Sequence, residues 1–279
     1  MTNLAYNLWQ NAWDGVIDMP AFSRSVKPRD TGLTMVMDKG LGLNETSDLL
    51  QTAGNYIDYI KLAFGTPALY NEDILRKKVA LIKASDIHIY PGGTFLEIAV
   101  LQNRVQAFLT RARDIGFSAI EVSDGTVPVP ARIRKQVIQE ALQMGFEVLS
   151  EVGKKSPMEN IQTETLINQV QSDLKAGAGR VILEARESGK GIGIYNNQGE
   201  IKQDFFKELN ATLPCPDRII WEAPLKNQQQ ALIIALGPNV NLGNIPPGEV
   251  LALESLRTGL RGDTLKLLIE NARGITGVC

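Results

Sequence analysis

The sequence has few of the residues that build disulfide frameworks and zinc sites. Its 279 residues include two cysteines, Cys215 and Cys279, and one histidine, His88. Two cysteines this far apart, one beside prolines and one at the last position, give neither a disulfide framework nor a Cys/His zinc spacing. We therefore expect a reduced, cytoplasmic protein. Because His88 lies inside a predicted strand, we interpret it as a hydrogen-bonded core residue and not as a catalytic base.

Long apolar runs and an excess of basic residues are also missing. No window approaches the roughly 20 apolar residues that a membrane-spanning helix needs, and the first residues lack the basic and apolar regions of a signal peptide. The formal net charge is −2, and the sequence pI is about 5.6. A nucleic-acid partner is not expected from this charge balance, and neither is a membrane.

Eight short apolar runs alternate with helical patterns along the chain. Parallel strands that are buried on both faces appear as continuous apolar runs, and an eight-stranded barrel needs eight of them. The runs are Leu33–Met37, Tyr56–Ile60, Ile87–Tyr90, Ala119–Ile120, Phe146–Leu149, Val181–Leu183, Ile219–Trp221 and Val240. The alternation predicts an α/β fold, a (β/α)8 TIM barrel. We expect a single domain over residues 1–279, with an N-terminal extension over about residues 1–28.

Helical patterns fill six of the connections between these runs, and a seventh pattern follows the last run. The predicted helices are Val79–Lys83, Arg104–Ile115, Ala131–Met144, Glu164–Ala176, Asp204–Asn210, Asn227–Leu236 and Glu249–Leu256. A glycine pair, Gly92 and Gly93, follows the third run and is interpreted as a loop whose backbone N–H groups can hold an anion.

The fourth to seventh runs are each followed by a glutamate. These are Glu121, Glu151, Glu184 and Glu222. Four carboxylates at one rim are costly unless a cation neutralises them. Oxygen ligands without histidine or cysteine favour Mg2+, so we predict a magnesium site. The alternative for any one of them is a salt bridge inside the barrel.

Cationic side chains follow the first, second and fifth runs. Lys61 should emerge at the barrel mouth and suits an anionic substrate, although it could instead be a snorkelling side chain. Asp38 and Lys39 leave the first strand, either toward the substrate or as a surface ion pair with a turn. Lys154 and Lys155 follow Glu151, where a nearby metal and a second cation would lower the lysine pKa toward neutral, as acid–base catalysis requires.

A glycine-rich loop after the sixth run is the best anion-binding segment in the sequence. It contains Arg186, Ser188, Lys190 and Gly191 and lacks the Walker pattern of nucleotide-binding loops. We expect it to bind a phosphate or carboxylate and to close as a lid. Asn241, after the eighth run, could add an amide contact to the substrate.

These motifs together resemble the phosphosulfolactate synthase family, over roughly residues 30–265. The residues that carry the resemblance are Met37-Asp38-Lys39-Gly40, Tyr59-Ile60-Lys61, Tyr90-Pro91-Gly92-Gly93-Thr94, Glu121-Val122-Ser123-Asp124-Gly125, Glu151-Val152-Gly153-Lys154-Lys155, Glu184-Ala185-Arg186-Glu187-Ser188-Gly189-Lys190-Gly191, Trp221-Glu222-Ala223-Pro224 and Val240-Asn241-Leu242-Gly243-Asn244.

The resemblance implies a lyase-type synthase that adds sulfite to C3 of phosphoenolpyruvate and gives (2R)-2-phospho-3-sulfolactate, using Mg2+. It implies Lys155 as the general acid, with Lys154 as an alternative, and Lys61, Arg186 and Lys190 as anion-binding residues. It also implies a homo-oligomer, and coenzyme M biosynthesis as one possible pathway. Two alternatives stay open, namely another Mg2+-dependent barrel lyase or isomerase on a small phosphorylated acid, and a non-catalytic, stress-associated relative.

Overall fold

The computed structural model describes residues 11–21, 23–153 and 162–266. Its strands are β1 Thr34–Asp38, β2 Tyr59–Leu62, β3 His88–Pro91, β4 Ala119–Val122, β5 Glu147–Val152, β6 Arg180–Leu183, β7 Ile219–Glu222 and β8 Asn241–Ile245. Its α-helices are α1 Leu43–Ala53, α2 Glu72–Lys83, α3 Gly93–Leu101, α4 Val105–Ile115, α5 Ala131–Gln143, α6 Thr163–Ala176, α7 Gln203–Thr212, α8 Lys226–Leu236 and α9 Val250–Arg257.

The eight strands form one parallel sheet that curls into a nearly closed barrel. Their order is β3-β2-β1-β8-β7-β6-β5-β4, and each neighbouring pair in this order is parallel. The two end strands meet where the Ser118 N–H, just before β4, donates a hydrogen bond of 3.1 Å to the carbonyl of Ile89 in β3. The predicted (β/α)8 TIM barrel is therefore confirmed.

Apolar side chains cover both faces of the sheet, as the continuous runs predict. One buried cluster fills the barrel interior and includes Met35, Tyr90, Leu149, Ile182 and Ile220. The other lies between the strands and the surrounding helices. Because successive side chains alternate between these faces, residues two positions beyond the interior layer also point inward, toward the carboxyl ends of the strands.

The structure agrees with the predicted elements and adds two helices. Each of the eight apolar runs lies in or directly beside a strand, and each of the seven helical patterns lies within or largely within a helix. The helices α1 and α3 were not predicted. The helix α3 begins at Gly93, so the expected loop after β3 is a helix start.

The chain before β1 lies across the amino ends of the strands. Lys27 Nζ donates to the carbonyl oxygens of Ile57, at 3.0 Å, and Ser85, at 3.2 Å. Arg29 pairs with Asp58 at 3.0 Å. These contacts lie at the rim opposite the carboxyl ends of the strands, and the candidate site lies at those carboxyl ends. Within the described residues, no helix is both long and apolar enough to span a bilayer.

Candidate active site

Four charged side chains meet inside the barrel at the carboxyl ends of β2, β4, β5 and β7. They are Lys61, Glu121, Glu151 and Glu222, and all four are buried. Each lies two residues beyond an interior-facing residue of its strand, so the strand alternation directs all of them inward. The sequence prediction that successive strands deliver carboxylates to one rim therefore agrees with the structure.

Lys61 lies between three of these carboxylates. Its Nζ is 3.0 Å from Glu121 Oε2, 3.0 Å from Glu151 Oε2 and 3.7 Å from Glu222 Oε1. Burial acts to lower the pKa of Lys61, but the three carboxylates outweigh it and raise the pKa well above its ordinary value. Lys61 is therefore a fixed cation at neutral pH. It is a paired interior residue and not a snorkelling one.

The start of helix α3 supports Glu121 from the side. The Gly93 N–H donates a hydrogen bond of 2.6 Å to Glu121 Oε1, and a helix N-terminus favours a negative charge. A Cβ at Gly93 would lie 2.8 Å from that oxygen and would also clash with Ser123, so this position needs glycine. The Gly92 N–H donates to the Leu62 carbonyl at 3.0 Å. The expectation that this pair binds an anion through its N–H groups is therefore wrong.

Backbone N–H groups after β6 orient the two remaining glutamates. The Ala185 N–H donates to Glu222 Oε2 at 2.8 Å, and the Arg186 N–H donates to Glu184 Oε1 at 2.5 Å. Arg186 has a φ of 61°, which is uncommon for a residue other than glycine and is often found at functional sites. The β6 end thus fixes two carboxylates and brings Arg186 to the rim.

A pocket of about 360 Å³ opens above these side chains. Seven of the predicted site residues line it: Lys61, Glu121, Glu151, Glu184, Arg186, Ser188 and Glu222. The lining residues that were not among the predicted site residues include Met37, Phe64, Thr94 and Asn244. Phe64 is 59% exposed and has a φ of 57°, a conformation that no sequence pattern indicates.

Asp38 and Lys39 are near the rim but do not line this pocket. Asp38 is buried, pairs with the buried Lys78 at 2.5 Å, and accepts hydrogen bonds from the N–H groups of Gly40 and Leu41. Lys39 is half exposed and pairs with Glu187 of the β6–α7 loop. Both residues are ion-paired, as the alternative expected, but Asp38 pairs with the buried Lys78 and Lys39 with Glu187, and not with each other on the surface.

Three further predicted residues are not brought to the pocket. Asn241 begins β8 at the amino rim, where its Nδ2 donates to the carbonyls of Asp217, at 2.8 Å, and Ile219, at 3.0 Å. The last apolar run precedes β8, so Asn241 opens the strand that it was expected to close. The Gly191 N–H donates to the Asn196 carbonyl. Lys190 is exposed and outside the pocket lining.

The glycine-rich loop, which was predicted to close as a lid, is held in place by hydrogen bonds from buried side chains. The buried Gln228 of α8 donates from Nε2 to the carbonyls of Gly189, at 2.6 Å, and Gly199, at 3.1 Å. The Tyr195 hydroxyl donates to the Glu222 carbonyl at 2.9 Å. The exposed part that faces the pocket is the short stretch Arg186–Ser188.

Two further predictions concern the lysine pair Lys154 and Lys155 and the histidine His88. Lys154 and Lys155 are outside the described residues. His88 is exposed and stacks on Tyr59 at a ring separation of 5.3 Å, at the amino end of the barrel. The expectation of a core histidine is wrong, and its distance from the rim agrees with the view that it is not a catalytic base.

The donor atoms at the rim fit a partly hydrated Mg2+ better than a full protein cage. Among the described residues, no group of three or more Asp, Glu, His or Cys side chains is arranged to hold a metal, and Lys61 lies between three of the carboxylates. Magnesium commonly takes one or two carboxylates and keeps several waters. The amide oxygen of the buried Asn244 accepts no hydrogen bond within the described chain. An oxygen-only donor set with this acceptor suits Mg2+.

Comparison with known proteins finds relatives that match most of the chain. The family model described as (2R)-phospho-3-sulfolactate synthase (ComA) matches residues 22–263. The phosphosulfolactate synthase of Methanothermobacter thermautotrophicus is 48% identical over 244 residues, which is 87% of this chain and 94% of the relative. That of Bacillus subtilis is 37% identical over 256 residues, covering 91% and 99% of the two chains.

Solved structures agree on the fold. A phosphonopyruvate hydrolase complex with oxalate and Mg2+ superposes with a TM-score of 0.50 at 12% identity, covering 88% of this chain and 92% of its own. A 3-hexulose-6-phosphate synthase gives 0.50 at 16% identity, covering 81% and 98%. At such identities these likenesses support the barrel alone. The family model and the curated relatives, which match most of the chain, show that it belongs to the phosphosulfolactate synthase family.

Proposed function

We propose that this enzyme adds sulfite to C3 of phosphoenolpyruvate and forms (2R)-2-phospho-3-sulfolactate. The observation that carries the proposal is Lys61, buried as a fixed cation among three carboxylates at the floor of a pocket on the carboxyl rim. Active sites of (β/α)8 enzymes lie at this rim. The matched family supports the reaction class.

The reaction needs stabilisation of a developing negative charge. The sulfur lone pair of sulfite bonds to C3, and the π electrons of the C2–C3 double bond move into the substrate carboxylate. The resulting aci-carboxylate dianion then takes a proton at C2. Fixed positive charge placed where the negative charge develops lowers this barrier. Lys61 supplies such a charge, and Arg186 at the rim is a second candidate.

Mg2+ is the proposed cofactor. When bound, it would act as a Lewis acid on the substrate carboxylate. Glu184 and Glu222 are the carboxylates best suited to hold it, because Lys61 approaches Glu121 and Glu151 at 3.0 Å but Glu222 only at 3.7 Å. Glu121 and Glu151 would then keep Lys61 in place.

The proton donor is proposed to be Lys155, with Lys154 as the alternative. Lys61 is a poor donor, because its pKa is held well above the ordinary lysine value and proton transfer is most efficient from a group that titrates near the working pH. Both candidate lysines follow Gly153, the residue after β5, in the sequence.

The anions of the substrates would bind to the exposed rim. Arg186 and Ser188 line the pocket opening, and a guanidinium can hold a phosphate or carboxylate by two parallel hydrogen bonds. Lys190 could contribute only after a movement of the loop, since it lies outside the present lining.

The proposal is tested with purified protein, phosphoenolpyruvate, sulfite and Mg2+, by following the loss of the enol absorbance. We expect consumption that needs all three components and stops with EDTA. The Lys155→Ala variant should lose activity, whereas the matched control Lys83→Ala, a lysine at the end of α2, should keep it. Failure of the parent protein to consume phosphoenolpyruvate under these conditions would reject the proposed reaction.

The homo-oligomer stays a prediction. Leu251 and Leu260, near the end of the described chain, are 49% and 50% exposed, as a contact between copies would allow. Light scattering of the purified protein would measure the mass of the assembly.

A further inference from the structure

Strand β8 contains a β-bulge next to the pocket. Thr34 of β1 is opposite Leu242, but Val36 is opposite Ile245, so two steps along β1 match three steps along β8. The extra residue falls at Gly243 and Asn244. Bulges of this kind redirect a side chain and are common beside active sites.

The bulge turns Asn244 toward the pocket. Asn244 has a φ of 56°, and its N–H contacts Met35 Sδ at 3.4 Å. The residue is 3% exposed and lines the pocket beside Glu222, whose register partner is the adjacent Gly243. Regular alternation would have directed residue 244 away from the interior, since Gly243 faces Met35 and Ile220 there.

The Oδ1 atom of Asn244 is buried and accepts no hydrogen bond from any residue that the structure describes. A buried acceptor without a partner is destabilising, and Asn244 lines the pocket, so a water or ion bound there is a candidate partner for this atom. Lys61, a nearby donor, already faces three carboxylates. An acceptor requires a proton donor or a cation, and the anionic substrates proposed above supply few donors.

We propose that Asn244 Oδ1 is a ligand of the divalent cation in this pocket, bound directly or through one water of the cation. The inference rests on the proposed function and adds a neutral oxygen to the carboxylates at the rim. A neutral amide ligand suits this position, because it binds the cation without adding a fifth negative charge to Glu121, Glu151, Glu184 and Glu222.

The backbone offers a competing explanation for the residue type. Asparagine tolerates the left-handed conformation better than most residues, so it could occur here for its φ alone. Glycine adopts the same φ without strain. Asn244→Gly therefore removes the amide and keeps the backbone. Asn103, which has a φ of 54° and is exposed away from the pocket, gives the matched control Asn103→Gly.

The test measures Mn2+ binding to the purified protein, by the electron paramagnetic resonance signal of the free ion, with and without phosphoenolpyruvate. We expect Asn244→Gly to weaken Mn2+ binding by about 10- to 100-fold, the usual effect of losing a supporting group at a metal site. Asn244→Asp should bind Mn2+ at least as tightly as the parent, because it keeps the oxygen and adds charge. Asn103→Gly should not differ from the parent, and circular dichroism should show all variants folded.

Three results would overturn the inference in distinguishable ways. If the parent binds Mn2+ and Asn244→Gly binds it equally well, the amide is not a cation ligand and the proposed cofactor is unaffected. Weaker phosphoenolpyruvate binding by Asn244→Asp, with unchanged Mn2+ binding in Asn244→Gly, would instead make the amide a donor to the substrate. If the parent binds no Mn2+ in either condition, both the inference and the proposed cofactor are rejected.

Discussion

Replacing Lys61 by methionine removes the positive charge that lies between Glu121, Glu151 and Glu222. Two of the three contacts are 3.0 Å long, and at an effective dielectric constant of about 20 each is a gross attraction of about 5.5 kcal/mol. Desolvation of the buried charges offsets much of this attraction. Breaking a buried pair by removing one partner typically costs about 3–5 kcal/mol, which is the loss of unfolding free energy that we expect near neutral pH.

The pH dependence follows from the direction of the pKa shift. The pKa of folded Lys61 is raised above the unfolded value, so its stabilisation is complete below about pH 10 and is lost as the pH rises through the folded pKa. In Lys61→Met, three adjacent carboxylates would repel one another. The folded variant should then bind a proton at a pH where the unfolded chain has released it. The difference in unfolding free energy between Lys61→Met and the parent should therefore become smaller as the pH falls from about 8 to about 5.5.

Urea unfolding followed by the fluorescence of Trp221 measures this effect. Trp221 is buried and packs against Phe206 at a ring separation of 5.4 Å. The control Lys78→Met removes another buried lysine, which pairs with the single carboxylate of Asp38, and its deficit should change less with pH. The argument from charge neutralisation would be refuted if Lys61→Met lost no unfolding free energy at about pH 8, or if the loss did not become smaller toward about pH 5.5.

Two other substitutions test Gly93 of the site and the buried pair of Arg134 with Asp173. Gly93→Ala should abolish most synthase turnover in steady-state kinetics, because the added Cβ would clash with Ser123 and displace the helix start. In the control Gly248→Ala the added Cβ meets nothing within 4 Å, so turnover should not change. Arg134→Leu leaves the buried Asp173 without the guanidinium that contacts it at 2.6 Å. We therefore expect urea denaturation to show an unfolding free energy that is lower by about 3–5 kcal/mol. A loss below about 1 kcal/mol, which is typical of exposed pairs, would contradict this.

The barrel could be predicted because its signal is local. Each parallel strand is buried on both faces, so each appears as an apolar run, and the residue after the run emerges at the carboxyl rim. Glu121, Glu151, Glu184 and Glu222 were found for this reason. Asn241 was misplaced because β8 begins after the apolar Val240, so that a residue expected at the end of the strand lies at its start.

The remaining features depend on contacts between distant parts of the chain. Nothing near Gly93 in the sequence shows that its N–H group bonds Glu121, 28 residues away, so a helix start resembled a loop. The bulge at Asn244 follows from the register between β1 and β8, which only the closed sheet defines. The position of Lys61 among three carboxylates depends likewise on strands that are far apart in sequence.

The most direct test of the central claim is to follow phosphoenolpyruvate by 31P nuclear magnetic resonance in the presence of the protein, sulfite and Mg2+. If the rim that holds Lys61 catalyses the addition, the phosphoenolpyruvate signal should be replaced by one new phosphate ester signal of equal intensity, only when sulfite is present and not with Lys61→Met. A persistent phosphoenolpyruvate signal, or its conversion to inorganic phosphate without a new ester, would contradict the account.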